Sequence, residues 1–498
     1  TITLCLACRF MGGKHMAETN KPTATKGVLS IAMIKKLIGA VVGIILGVYI
    51  AGIGVPEGLT TKAMWGMAVF ICAIVWWIAE VFPDYVTALL MCSAWAVFDI
   101  VPFGTAFGGF SNATIWLLIG AFGMAAAVGK CGLLTRISLY LMNLFPLTFK
   151  GQTLALMVTG TLMTPLIPSG SAKIAVLAPF AAAVSDSMGY KKKTQGAGGI
   201  FAAMFLSLGC IHPLFLSGSF MCYSVVGLLP KDIQSQVTWT SWFINALPWG
   251  ITVLVLGYLA ILFLYKPEEE KRLASTMIKD QRAALGPMSK NEKYVSVVLV
   301  LTLLIWMTEV LHGINATIIA IAALAALLGY NVIDRNTFKS GIAWDAIMFI
   351  GCIFAVSGVF SALKITGWIG KVLGPHVAPL LAGNIYLFLA VLCIVIYLVR
   401  FVLASQLAVI TIFTLLLTPL ALKEGISPWI MGFTSFVAIN VWILMYQNAQ
   451  YLVAFFGAAG GEMVNHRQMI KLCVAYMIIS IIGLLVSIPF WKLTGLIQ

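Results

Sequence analysis

Charge is scarce in this chain. Asp, Glu, Lys and Arg make up 10% of its 498 residues, against 61% hydrophobic residues and a mean hydropathy of +1.01. A soluble domain of that balance would expose far too much apolar surface, which excludes an ordinary water-soluble fold. Acidic residues are scarcer still, 17 against 31 Lys and Arg, for a formal charge of +14. That excess does not spell a nucleic-acid surface, because it is confined to a few loops. Lys35 and Lys36 precede the first apolar run, Lys191, Lys192 and Lys193 share one loop, and Lys266, Lys271, Arg272, Lys279, Arg282, Lys290 and Lys293 crowd one central stretch. Lys and Arg in short loops beside membrane spans mark the cytoplasmic side. Acid–base machinery is thin, with five His. No HExxH, GxSxG, Walker loop or strand-linked GxGxxG occurs, so the sequence points away from an enzyme and from an ATP-driven pump. Ten Cys form no disulfide framework: eight lie in or beside apolar runs, and Cys5 with Cys8 is a lone CxxC without a second pair. No cofactor is called for.

What the chain has in quantity is long apolar runs. Fourteen of them, 37–54, 64–82, 85–101, 113–129, 151–167, 198–221, 242–264, 294–311, 315–330, 346–363, 383–399, 406–421, 429–445 and 470–490, approach the length that crosses ~30 Å of hydrocarbon. Those beside Gly, Pro and Ser clusters are candidates for half-helices or re-entrant hairpins. The chain also repeats itself. Trp77-Ile-Ala-Glu80-Val81 returns as Trp306-Met-Thr-Glu309-Val310, 229 residues later; Leu118-Ile119-Gly120 returns as Phe349-Ile350-Gly351, 231 later; and Pro168-Ser169-Gly170-Ser171-Ala172 returns as Ala404-Ser405-Gln406-Leu407-Ala408, 236 later. Duplication within a very apolar chain is the mark of a secondary transporter whose halves clasp a solute at mid-membrane. The division expected is a disordered N-terminal tail at 1–29, a first repeat at 30–265, a cytoplasmic linker at 266–293 and a second repeat at 294–498. Glu268 and Arg272, spaced i, i+4, suggest a short surface helix in the linker. The loop after the first Ser turn carries three lysines, whereas its counterpart at 421–428 carries Lys423 offset by Glu424. Equivalent loops would then face opposite sides, making the repeats inverted.

The pattern breaks at a few points. Pro165, Pro168 and Gly170 prevent 164–173 from being a plain membrane helix although both flanks are apolar. A broken helix there exposes unpaired N–H groups and aims positive partial charge at the break, which suits an anion. Ser169 and Ser171 add hydroxyls; the plainer reading is a Pro kink with a capping Ser. The turn at Ser405, Gln406 and Leu407 has neither Pro nor Gly and passes as continuous helix by sequence. Arg400 just before it and Lys173 just after the first turn are cations in apolar surroundings. They read either as partners for substrate carboxylates or as snorkelling side chains. His212-Pro213, Ser217, Gly218 and Ser219 interrupt another run, and Gln447-Asn448-Ala449 does so in the second half. Each follows a Ser turn, which favours a pocket over polar groups satisfied within a bundle. Glu80 and Glu309 read as interfacial structural groups, with proton coupling as the alternative.

The stretch Gly109-Phe-Ser-Asn-Ala-Thr-Ile-Trp-Leu-Leu-Ile-Gly-Ala-Phe122 resembles a segment characteristic of the divalent-anion/sodium symporter (DASS) family of di- and tricarboxylate carriers. Val237-Thr-Trp-Thr-Ser-Trp-Phe-Ile-Asn-Ala-Leu-Pro248 and Ile342-Ala-Trp-Asp345 resemble two more, and the likeness covers 30–495. It implies an all-α polytopic fold of about eleven transmembrane helices plus two re-entrant hairpins, an inverted-repeat, elevator-type transporter, usually a homodimer. The family's Ser-Asn-Thr tip motif corresponds to Ser169-Gly170-Ser171 and Ser405-Gln406-Leu407, and its downstream loop to Gln447-Asn448-Ala449 and, more distantly, Ser217-Gly218-Ser219. The likeness implies substrate contacts at these positions and sodium near Ser169 and Ser405. Neither tip keeps the Asn, and Leu407 offers no oxygen, so Lys173 or Arg400 is expected to replace a coupling cation. The function expected is secondary transport of dicarboxylate or tricarboxylate anions in a bacterial inner membrane, N-terminus cytoplasmic, by exchange rather than sodium symport. The alternative is a sodium-coupled carrier of sulfate or a sulfonated organic acid.

Overall fold

In hydrocarbon every backbone polar group must find its partner within the protein, so apolar runs of this length become helices. The computed structural model describes residues 31–498. Among the described residues there is no sheet, only two isolated bridges, Thr148 with Arg272 and Ile426 with Ile497. The expected tail at 1–29 lies outside the described residues.

The first half opens with α1 (Ile31–Gly52), α2 (Thr61–Ala79), α3 (Asp84–Val97), α4 (Ala113–Cys131) and α5 (Leu133–Met142). Two interrupted elements follow. α6 (Phe149–Met163) turns through 164–169 into α7 (Gly170–Ser187), and α8 (Gln195–Phe205) passes through a π-helical turn and an irregular stretch into α9 (Phe220–Leu228). α10 (Trp239–Leu264) closes the half, and α11 (Ser275–Leu285) lies in the linker. The second half repeats the order: α12 (Lys290–Met307), α13 (Ala316–Gly329), the short α14 (Arg335–Gly341), α15 (Trp344–Ala362) and α16 (Ile365–Gly383). α17 (Ile385–Val399) then turns into α18 (Gln406–Lys423), α19 (Pro428–Ala438) breaks before α20 (Ala449–Gly457), and α21 (His466–Leu493) closes the chain. α1 has no counterpart and packs on α2. Eight of the described helices are long and apolar enough to cross a membrane. Large apolar side chains such as Phe263 and Leu311, each 85% exposed, fit a lipid-facing surface.

The repeated Trp has a structural role. The Trp77 indole donates to the Asp84 carbonyl (3.2 Å), and the Trp306 indole to that of Ala316 (3.0 Å). Each fastens one helix to the first residue of the next. The halves also interlock, since α4 packs on α13 and α15 packs on α3. Glycine permits the first crossing, where a Cβ on Gly120 would lie 2.7 Å from the Ala320 backbone; Gly109, in the turn before α4, lets that turn approach α15, since a Cβ there would lie 2.1 Å from the Gly351 carbonyl oxygen.

Three expectations need correction. Glu268 and Arg272 do not share a helix: Arg272 pairs with Thr148, and the linker helix begins at Ser275. The tertiary bridge wins over an i, i+4 attraction worth only about 0.2–0.5 kcal/mol. α5 and α16 occupy equivalent places that the apolar runs did not reveal; the first is short and strongly two-faced, and the second carries Pro375 and Pro379. The stretch before Ser405 is not continuous helix. It breaks at 401–405, where Arg400 draws its own turn's carbonyls inward.

Candidate substrate site at two hairpin tips

Ser169 caps α7, accepting from the Ala172 N–H at 3.3 Å, and Ser405 caps α18 in the same way, accepting from Ala408 at 3.3 Å. Both serines are partly exposed, as are Ser171 and Gln406. The capping reading of the serines therefore holds, and it leaves each hydroxyl proton free to be donated elsewhere.

The first tip is stitched to the first broken helix. Phe220 donates its N–H to the Pro168 carbonyl (2.9 Å) and Ser217 its hydroxyl to that of Pro165 (2.8 Å), while the Trp239 indole donates to Ser217 (3.0 Å). Lys173 is fully buried; its Nζ donates to the carbonyls of Gly218 (2.8 Å) and Thr164 (3.5 Å). Gly218 has no room for a side chain, since a Cβ would meet the His212 carbonyl at 2.3 Å.

The second tip is stitched to the second broken helix by other means. Arg400, also fully buried, donates to the carbonyls of Leu403 (2.6 Å), Ala404 (2.5 Å) and Gln447. Gln447 returns a bond from Nε2 to the Arg400 carbonyl (3.2 Å). Arg400 is thus no snorkelling residue. Lys173 and Arg400 come from opposite arms of their hairpins, yet each fastens a tip to the break beside it.

The two assemblies meet. Gly170 lies against Gln450, so close that a Cβ would sit 2.5 Å from its amide, and α7 packs on α20. Reciprocally, α18 packs on α9 and α19. At the seam, Asn440 faces His212 across 3.4 Å, and both are fully buried. Gln406 reaches Asn440 at 3.5 Å. Of the candidate residues, Ser169, Gly170, Lys173, Ser217 and Gly218 gather at the first tip and Arg400, Ser405, Gln406 and Gln447 at the second. Asn448 caps α20 through its Oδ1. Buried polar atoms without a protein partner here, among the described residues, are Arg400 Nε, Asn448 Nδ2, Gln450 Oε1 and His212 Nδ1. Buried polar groups normally have partners, so this set asks for a bound solute or water; Arg400 Nε and Asn448 Nδ2 are donors, which suits an anion.

Sodium fits poorly. The carbonyls of Thr164 and Gly218 at one tip, and of Leu403, Ala404 and Gln447 at the other, are the hard oxygen ligands a small cation would use, and they already bind an ammonium and a guanidinium. Glu309 accepts the Ala316 N–H on Oε1 at 3.2 Å, a structural contact, while its Oε2 is buried without a partner.

Sequence reasoning missed Asp84, Asn440 and Gln450. For Asp84 a signal existed. The second half has Ala316 at the helix position where the first has a carboxylate. That carboxylate accepts from the Ser405 hydroxyl at 2.6 Å.

Known proteins can be compared with this geometry. An L-tartrate/succinate antiporter of Escherichia coli is 25% identical over 414 residues, 76% of this chain and 81% of the relative. Dicarboxylate transporter 1 of Spinacia oleracea chloroplasts is 27% identical over 354 residues, covering 68% of this chain but only 60% of that protein. Among solved structures, the YdaH transporter of Alcanivorax borkumensis superposes with a TM-score of 0.51 at 14% identity, over 78% of this chain and 87% of its own, a likeness of fold alone. The sodium:sulfate symporter transmembrane region matches residues 34–497, and the chain therefore belongs to that family of membrane transporters.

Proposed function

We propose that the chain exchanges dicarboxylate or tricarboxylate anions across the bacterial inner membrane, as a homodimer with a cytoplasmic N-terminus, without sodium. The substrate class draws on the antiporter and dicarboxylate-transporter relatives. The halves are inverted, and the serine tips grip the carboxylates while the helix breaks supply further donors. Ser169, Gly170, Ser171, Ser217, Gly218, Ser405, Gln406, Gln447 and Asn448 line that site. The observation that carries exchange is the pair of buried cations, Lys173 and Arg400, on the carbonyls of both tips. A carrier with fixed internal cations does not draw on an external ion gradient, so the opposing substrate is left to drive transport. The test is counterflow of labelled succinate in proteoliposomes, with all sodium replaced by choline. Uptake that depends on internal succinate and ignores sodium supports exchange, and excess sulfate should not compete. A strict sodium requirement overturns the reading.

A further inference from the structure

Among the described residues, Asp84 is the one carboxylate bonded to a tip serine, and it comes from outside the hairpins. It is the first residue of α3, behind Pro83, and makes no side-chain cap there. A carboxylate in a helix's first turn is favoured by the dipole, which is the plainer account of its presence. Its Oδ2 nevertheless takes the Ser405 hydroxyl at 2.6 Å, across 321 residues of sequence. Arg400 attracts this carboxylate and Glu80 repels it.

A serine has one hydroxyl proton, and a carboxylate can only accept. Asp84 and a substrate carboxylate therefore compete for the same hydrogen, and Ser405 cannot serve both. The competition links loading to movement. α3 packs on α2 and α15, whereas α18 packs on α9, α16 and α19, so the bond joins two groups of helices that otherwise touch where α15 meets α9 and α16. Alternating access requires one body to rock or slide against the other. We infer that Asp84 latches the substrate-free carrier: it holds Ser405 to α3 when no anion is bound and lets go when a substrate carboxylate takes the hydroxyl. The inference rests on the exchange reading above and supplies its missing half. An empty carrier held by its latch cannot return alone, so each crossing needs a substrate.

The test measures labelled succinate leaving proteoliposomes, into buffer with and without external succinate. For the natural protein, efflux should need external succinate; efflux at full rate without it would sink the exchange reading, not the latch alone. Asp84→Ala should keep exchange but raise efflux into succinate-free buffer about tenfold or more, the factor a charge-assisted hydrogen bond supplies. Asp84→Glu, which keeps the acceptor, should restore most of the dependence. Exchange by Asp84→Ala that is intact and still fully dependent on external succinate overturns the latch. Hydrogen–deuterium exchange on the natural protein decides the matter even if the variant does not fold. Saturating succinate should lower amide protection at 84–88; protection that stays unchanged while the tips respond also overturns it.

Discussion

Replacing Lys173 by Ala removes a fully buried ammonium and leaves a space lined by the carbonyl oxygens of Gly218 and Thr164. The 2.8 Å bond to Gly218 is charge-assisted, and such a bond contributes roughly 1.5–3 kcal/mol; the second, at 3.5 Å, adds little. If about 2 kcal/mol of tip organisation is lost from substrate binding, succinate affinity should fall by roughly thirtyfold. The same change uncovers two hard oxygen ligands at the first tip, so sodium should recover part of the loss. The recovery is the discriminating readout, because a merely damaged tip would not respond to an ion. The assay is ligand-induced melting shift and counterflow of succinate, each titrated with sodium against choline, after gel filtration has verified a monodisperse preparation. Lys173→Arg should behave differently from Lys173→Ala, retaining charge and showing no sodium response. If Lys173→Ala exchanges normally and ignores sodium, the ammonium is not standing in for a coupling ion, and the argument from donor chemistry fails.

Ser169→Ala and Ser405→Ala each remove a hydroxyl donor and a helix cap worth about 1 kcal/mol, so the apo melting temperature should drop only slightly while the succinate-induced shift disappears. Normal shifts in both variants would place the site elsewhere. Arg400→Lys keeps the charge but loses the fork that reaches the Leu403, Ala404 and Gln447 carbonyls. Since the lost guanidinium bonds leave buried carbonyls unpaired at about 1–3 kcal/mol each, thermal denaturation should show a clearly larger fall than for the serine variants; an unchanged melting curve would mean that a point charge suffices.

Much of this architecture was legible because membrane physics leaves few options. Apolar run length anticipated most helices, and the repeated Ser landmarks fall at the two helix starts, Gly170 and Gln406. The first break was readable from Pro165, Pro168 and Gly170. The second was not, since 400–405 contains no helix breaker. Its break comes from the Arg400 side chain satisfying carbonyls that a helix would otherwise pair, an interaction between residues that spacing alone does not announce. Asn440 and Gln450 escaped for the same reason: each is ordinary in its local sequence and acquires its place from an element more than two hundred residues away, whereas Asp84 stands out only when set against Ala316. The linker helix was misplaced because Leu273 and Arg272 bind the turn at Leu147 and Thr148, a pairing invisible to a helical-wheel argument.

On the proposed reading of the halves as repeats, they diverge in sequence while keeping their electrostatics. Each tip ends in helix arms whose backbone dipoles converge on a break, and each break leaves carbonyls that need positive charge. In the first half the cation comes from the arm after the tip, at Lys173; in the second it comes from the arm before it, at Arg400. The Thr164 carbonyl that accepts from Lys173 lies at the repeat position of Arg400 itself. The two residues are thus not copies of one ancestral cation, since they occupy non-equivalent positions and differ in chemistry. They are two separate solutions to one requirement imposed by the backbone. A requirement met twice by different side chains is a property of the frame, and it is the frame's carbonyls, not a particular residue type, that decide whether the positive charge at a tip is carried within the chain or drawn from solution.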